Sequence, residues 1–264
     1  ILAGTQTFSG NKTFSGSLTA SGAVSITGTL SASGTVTVSA AAASIGTAIT
    51  AATYGMPRTA VATVATPTLA TTGLAASIRR WRVTSAATAN AAAEERSAGW
   101  VCWRGNADGL GGWNYVNRLS LTTLQVTGMG FFGLYGSVAA LATTLTLATV
   151  VNCIGIGFQR GTHANWQLVH NDGTGAPTLI DLGASFPVAS LTNVLTLYIA
   201  ATPNGSNIGL RVVEEVSGTA VEFTIATDMP AATQLLSPRN YMNNGATAAA
   251  VAYDCAGVYL ETDY

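Results

Sequence analysis

From Gly4 to Gly34 every sixth residue is a glycine, and around that beat polar and apolar residues alternate one for one. The hexads read GTQTFS, GNKTFS, GSLTAS, GAVSIT, GTLSAS and GTVTVS. Six is even, so the glycines share a face with Phe8, Phe14, Leu18, Val24, Ile26, Leu30, Val36 and Val38. The odd positions from Thr5 to Ser39 are Ser, Thr or Asn except Ala23. A period-2 pattern of this length is β-structure with one buried and one wet face.

One copy of this ribbon has nothing of its own to bury that face against. Six hexads supply at most two coils of a single-chain β-solenoid, short of the roughly three repeats that close a core. Identical chains wound about one axis would bury the apolar edges together, and glycine lets the backbones approach. Three edges enclose an axis more completely than two. The pattern therefore predicts an intertwined homotrimeric β-shaft over residues 1–50, reaching about 120 Å if residues 4–39 ran fully extended at roughly 3.3 Å each. The Ala-rich stretch that follows is closed by Pro57, which gives a linker over 51–57.

Residues 58–264 have a different character. All five Trp, both His, all three Cys and every charge except Lys12 lie beyond Met56. The spacing predicts strands over Trp81–Thr84, Gly99–Arg104, Ser120–Gln125, Gly128–Leu134, Val151–Gln159, Asn165–His170, Pro177–Asp181, Val194–Ala200, Ile208–Glu214, Ala220–Thr227 and Val251–Glu261. Turn signals at Asn106–Gly109, Asn171–Gly175, Thr202–Ser206, Ser217–Gly218 and Asn243–Gly245 separate them. Short strands at this spacing, without a helical period, define an all-β fold: an antiparallel β-sandwich, jelly-roll-like. Ala86–Arg96 is the one helix candidate. Val138–Phe158 is too often broken by Thr, Asn and Gly to span a membrane and reads as two buried strands.

Charged residues make up only 9% of the chain, and the net charge is −1. No basic stripe is present for nucleic acid. The cysteines Cys102, Cys153 and Cys255 lack metal-ligand spacing and read as buried reduced thiols. His163 and His170 are too few for a metal cluster within one chain. Gly128–Gly133 matches GxGxxG but precedes no amphipathic helix, so it reads as a strand in a crowded core. No catalytic residue, metal ligand or cofactor is assigned. The stretch most suited to binding is Trp103, Arg104, Asn106, Asp108, Trp113 and Tyr115, where aromatic faces could stack on sugar rings and polar groups bond their hydroxyls; Trp100 reads as core. The turns at 171–175 and 202–207 are further candidate contact loops.

Two segments carry a resemblance. Trp166–Pro187, reading WQLVHNDGTGAPTLIDLGASFP, and the terminal VYLETDY of Val258–Tyr264 are similar to segments of bacteriophage tail fibre and tailspike receptor-binding proteins. The hexads also look like fibre shaft repeats. The resemblance implies a homotrimer in the virion tail fibre, made in the host cytoplasm and joined to other phage tail proteins through its N-terminal side. It implies a distal domain that binds a bacterial surface glycan or an outer-membrane protein; the thin supply of carboxylates able to act as a pair predicts no enzymatic activity, and the broken 138–158 stretch predicts no membrane insertion. The start at Ile1, without an initiator methionine, a basic n-region or an h-region, leads to the separate expectation that the chain is a fragment or processed product of a longer polypeptide. A structural fibre segment and a polysaccharide-degrading tailspike are the alternatives.

Overall fold

The computed structural model describes residues 58–262. The shaft and linker expected over residues 1–57 lie outside the described residues. The expected antiparallel sandwich is what the chain forms. Its strands are β1 (Arg58–Val61), β2 (Thr63–Ala65), β3 (Trp81–Thr84), β4 (Ala92–Ser97), β5 (Trp113–Thr123), β6 (Met129–Tyr135) and β7 (Cys153–Gln159). They continue with β8 (Gln167–Asn171), β9 (Thr178–Asp181), β10 (Leu195–Ala201), β11 (Ile208–Glu214), β12 (Thr219–Ile225), β13 (Ser237–Asn243) and β14 (Ala252–Thr262). One sheet has the order β1-β4-β13-β6-β7-β8-β9 and the other β12-β11-β10-β5-β14-β3-β2. We call them the inner and outer sheets, because the first is covered on both faces.

Alternation builds the space between the sheets. Along β5, Trp113, Tyr115, Asn117, Leu119 and Leu121 point inward and are buried. They meet Phe132, Leu134, Ile154, Ile156, Phe158 and Trp166 from the inner sheet. Phe132 crosses to Tyr253 of the outer sheet edge-to-face at 5.2 Å, and Phe158 meets Trp166 at 5.0 Å. Each such pair contributes about 0.5–1.5 kcal/mol beyond its buried area. All three cysteines are buried and unpaired; burial pushes the Cys102 thiol up to about 12.

The other face of the inner sheet is roofed by the segment between β6 and β7. Leu141, Leu145, Leu147 and Val150 lie on Met129, Phe131, Tyr135 and Tyr241. This corrects the reading of two strands in 138–158: β7 is the only strand there, and Thr146 leads a 3-10 turn at Leu147–Thr149. The roof also accounts for β13, where no strand was expected. Every residue of SPRNYMN is buried, because strands covered on both faces lose the period-2 signature.

Two further expectations are corrected. Ala86–Arg96 is not a helix: Asn90 takes a left-handed turn at φ 57°, and Ala92–Ser97 pairs between β1 and β13. Tertiary pairing overrides the helix propensity of its alanines and glutamates. Gly99–Arg104 forms only an isolated bridge, Cys102 to Leu236. Trp100 is consequently 42% exposed rather than part of the core.

The GxGxxG stretch runs along β6 as a strand in a crowded core. Gly133 sits directly opposite Gly155 of β7, and a Cβ on Gly155 would stand 2.2 Å from the Phe132 carbonyl oxygen. The strands approach too closely there for any side chain. We expect Gly155→Ala to cost about 2–3 kcal/mol of stability, read from the shift of the urea midpoint; an unshifted midpoint would show that the β6–β7 pair can splay freely.

Candidate functional site

The outer face of the outer sheet divides into a covered and an open half. Toward the Leu119 and Leu195 end, the segment leading to β3 folds back over it and includes a helical turn, α1 (Leu74–Ser77). Arg80 Nε reaches Asp254 at 2.6 Å with both side chains buried, and Arg82 bonds the same carboxylate at 2.7 Å. Ala75, Ile78 and Arg80 close on Arg118, Ser120 and Ala256 beneath.

Toward the Trp113 and Ala201 end the face is uncovered. Strand register sets two rows across it. The first runs Glu222, Arg211, Tyr198, Val116, Tyr259 through four adjacent pairings. The second runs Thr224, Gly209, Ala200, Asn114, Glu261. Ala200 and Gly209 are the small members, so they form the floor of a groove of about 350 Å³ walled by Tyr198, Arg211, Glu222 and Thr224. Tyr198 and Tyr259 are 38% and 45% exposed.

Gly209 is informative because the fold does not require it. A Cβ there would meet only the Ala200 carbonyl oxygen, at 3.8 Å, and its φ is not in the left-handed region. Glycine in a strand interior costs about 0.5–1 kcal/mol, and here that loss deepens the groove. Arg211 and Glu222 stand 3.5 Å apart across the rim and are mostly exposed, so the pair adds little stability and leaves both groups available to a ligand. Tyr259 donates its hydroxyl to Glu261 at 3.1 Å. The groove thus presents an aromatic ring, a cation and a carboxylate around an apolar floor, and Asn114, Glu261 and Tyr259 continue the two rows across the open face.

The six residues singled out from sequence do not form one surface. Trp113 and Tyr115 are each 1% exposed, within the inter-sheet core; β5 begins at Trp113, seven residues before the expected start, and its odd positions face inward. Neither is open to a ligand. Arg104 fastens loops: Nη1 donates to the Gly205 carbonyl and Nη2 to that of Pro230 at 3.3 Å. Trp103 is half-buried, while Asn106 and Asp108 are exposed on the Gly-rich loop. Asn204 reaches Asp108 at 3.4 Å, joining this loop to the 202–207 turn.

The 171–175 turn is held from within. Asp228 accepts from the amide of Asp172 at 3.1 Å and from the amide and hydroxyl of Thr178 at 3.0 and 2.6 Å. His170 Nδ1 lies 2.7 Å from the Asp228 carbonyl. Asp172 caps Thr174, whose hydroxyl and amide hold its carboxyl below the usual range. Asp181 bonds the Gly183 amide and Asn165, and not an arginine; the amide lowers its carboxyl too. What these two groups add to stability is present at neutral pH and is lost as pH falls below about 4. Among the described residues no group of three or more His, Cys, Asp or Glu is placed to hold a metal, and no helix is long and apolar enough to cross a membrane.

No family model matches the chain, and no curated protein does. Solved structures do resemble it in fold. Lectin II from Ulex europaeus matches with a TM-score of 0.50 at 10% identity, over 70% of this chain and 88% of that one. A UEA-II lectin complexed with galactose gives a TM-score of 0.50 at 11% identity, over 70% and 88%. Arcelin-5, a lectin-like defense protein from Phaseolus vulgaris, gives 0.50 at 7% identity, over 78% and 98%. At these identities the likeness is one of architecture: the described domain is a β-sandwich of the lectin-like kind.

Proposed function

We propose that residues 58–264 are the glycan-binding tip of a homotrimeric attachment protein of the phage tail-fibre kind, and that the open groove on the outer sheet is the binding site. The observation that carries the proposal is the groove itself: an apolar floor with a glycine that packing does not demand, walled by Tyr198, Arg211 and Glu222, with Asn114 and Tyr259 farther along the same rows of the open face. Saccharides are bound in this way, with ring faces on aromatic side chains and hydroxyls on charged and amide groups.

Tyr198 and Tyr259 flank Val116 in one row, two inter-strand steps or roughly 10 Å apart. That span suits a stretch of linear glycan lying across the strands better than a single sugar. A sandwich shared with lectins, one of them solved with galactose, supports the same reading. Seven carboxylates are committed to the fold: Glu94, Glu95, Glu214 and Asp254 are buried, and Asp172, Asp181 and Asp228 are occupied by turns; at the groove Glu222 stands against Arg211. Three sites on one rigid assembly raise avidity by about 10² or more.

The test is binding of the full 264-residue chain to arrayed lipopolysaccharide and capsule glycans. Tyr198→Ala and Tyr259→Ala should each weaken binding about tenfold per site, roughly 1.4 kcal/mol, while Asn106→Ala with Asp108→Ala should bind as the parent does. The reverse pattern would move the site to the loops. A folded chain that binds no host envelope glycan would instead be a structural fibre segment, and release of reducing ends from a bound glycan would make it a depolymerase.

A further inference from the structure

The charges of the groove and of the rows beside it come in matched couples. Arg211 Nε stands 3.5 Å from Glu222, with side chains 53% and 72% exposed. One row toward the covered half, Thr196 faces Val213 on one side and Arg118 on the other. There Arg118 Nη2 donates to Glu215 at 3.1 Å, and its Nε donates to the Thr196 hydroxyl at 2.9 Å. At the far end of the rows Glu261 accepts the Tyr259 hydroxyl. Arg118 and Arg211 thus stand against Glu215, Glu222 and Glu261, so these rows set up no positive field toward a ligand.

Such a surface suits an anionic group poorly. A carboxylate, phosphate or sulfate only accepts hydrogen bonds, and to reach Arg211 it must stand beside the like-charged oxygens of Glu222. A hydroxyl both donates and accepts. One sugar hydroxyl can accept from the guanidinium and donate to the carboxylate, or two neighbouring hydroxyls can take one partner each. These bonds are charge-assisted, roughly twice as strong as those between neutral groups, and the Arg211–Glu222 couple stays neutral as a unit. The floor of Ala200 and Gly209 between them gives a charge no partner, whereas the C–H face of a sugar ring can lie against it.

We infer that the groove selects uncharged saccharides: its ligand is a neutral, hydroxyl-rich segment of envelope glycan, and glycans bearing uronate or phosphate groups are discriminated against. The Arg211–Glu222 couple is the specificity element, with Arg211 as donor and Glu222 as acceptor to adjacent hydroxyls. The inference rests on the reading of the groove as a glycan site and adds the charge of the ligand to it. Weak salt dependence follows, because protein and ligand form no ion pair for salt to screen.

The test uses the full chain and monovalent, lipid-free oligosaccharides released from bacterial envelopes, sorted into neutral and uronate- or phosphate-bearing sets of matched length. Neutral members should bind at least about tenfold more tightly, and their affinity should change by less than about twofold between roughly 0.05 and 0.5 M salt. Glu222 is mostly exposed, so Glu222→Gln should leave the fold intact; it should weaken neutral binding by roughly threefold to tenfold and relax the exclusion of acidic members. An acidic set that binds as tightly or more tightly, in a salt-sensitive way that Glu222→Gln improves and Tyr198→Ala removes, overturns the neutral ligand and spares the groove. Neutral binding that Tyr198→Ala weakens and Glu222→Gln leaves at the parental level overturns the couple as the specificity element. Glycan binding that neither substitution alters overturns both this inference and the groove as the site.

Discussion

Replacing Glu94 by alanine is expected to lower the unfolding free energy of the sandwich by about 3–5 kcal/mol. Glu94 is 1% exposed on the roofed face of the inner sheet, and Arg239 beside it is equally buried. Arg239 Nη1 donates to Glu94 Oε1, and its Nη2 donates to the Ser137 and Ala139 carbonyls at 2.6 and 2.8 Å. Arg96 stands 3.3 Å from the other carboxylate oxygen and donates to Val138 at 2.9 Å. The Leu141 amide reaches Glu94 at 3.3 Å, and the Arg239 guanidinium lies over the Tyr135 ring at 5.0 Å. Burial raises the Glu94 carboxyl above its ordinary range although both arginines pull it back. Taking the carboxylate away leaves a cation in a dry site with only neutral acceptors. The roof should loosen with it, so amide exchange at 139–147 should accelerate along with the drop in urea midpoint. Glu94→Gln, which keeps an acceptor for Arg239, should fall between the two. A Glu94→Ala chain within about 0.5 kcal/mol of the parent would show that the leucines hold the roof alone.

That cluster also marks the limit of what the sequence reveals. β3 and β11 are legible to the residue, because one face is wet and alternation survives: β11 reads Ile208, Leu210, Val212 inward against Gly209 and Arg211 outward. β13 is illegible for the opposite reason. Its Arg239, Asn240 and Asn243 look like loop residues, yet each is buried against a partner that only the fold supplies: Glu94, Asn117 and the Leu145 carbonyl. The same holds for the site. Aromatic and polar residues clustered between Trp100 and Arg118 suggested a loop surface, but β5 starts at Trp113 and its inward parity takes Trp113 and Tyr115 into the core. The residues of the open face are scattered over five strands, and only the register brings Tyr259 within two strands of Tyr198. A usable signal was present, however: Tyr198 and Arg211 occupy outward positions of strands whose alternation was already read, where a large aromatic has no structural work.

Gly209→Val should separate binding from stability in opposite directions. Valine is a better strand residue than glycine, and at this position its Cβ meets only ordinary contact with the Ala200 carbonyl. The chain should therefore keep its thermal midpoint or gain up to about 1 kcal/mol. The same methyl groups fill the groove floor between Tyr198, Arg211 and Thr224, so a saccharide ring can no longer sit against Ala200. Loss of at least tenfold in affinity per site is expected on a monovalent oligosaccharide. On intact cells the proposed trimer predicts a far larger loss, because avidity multiplies the affinities of sites that engage together. This contrast in signs cannot arise from misfolding, which would lower both quantities. A Gly209→Val chain that melts as the parent does and still binds the glycan with parental affinity would place the ligand off this face altogether, leaving the Asn106–Asp108 loop as the surface to examine.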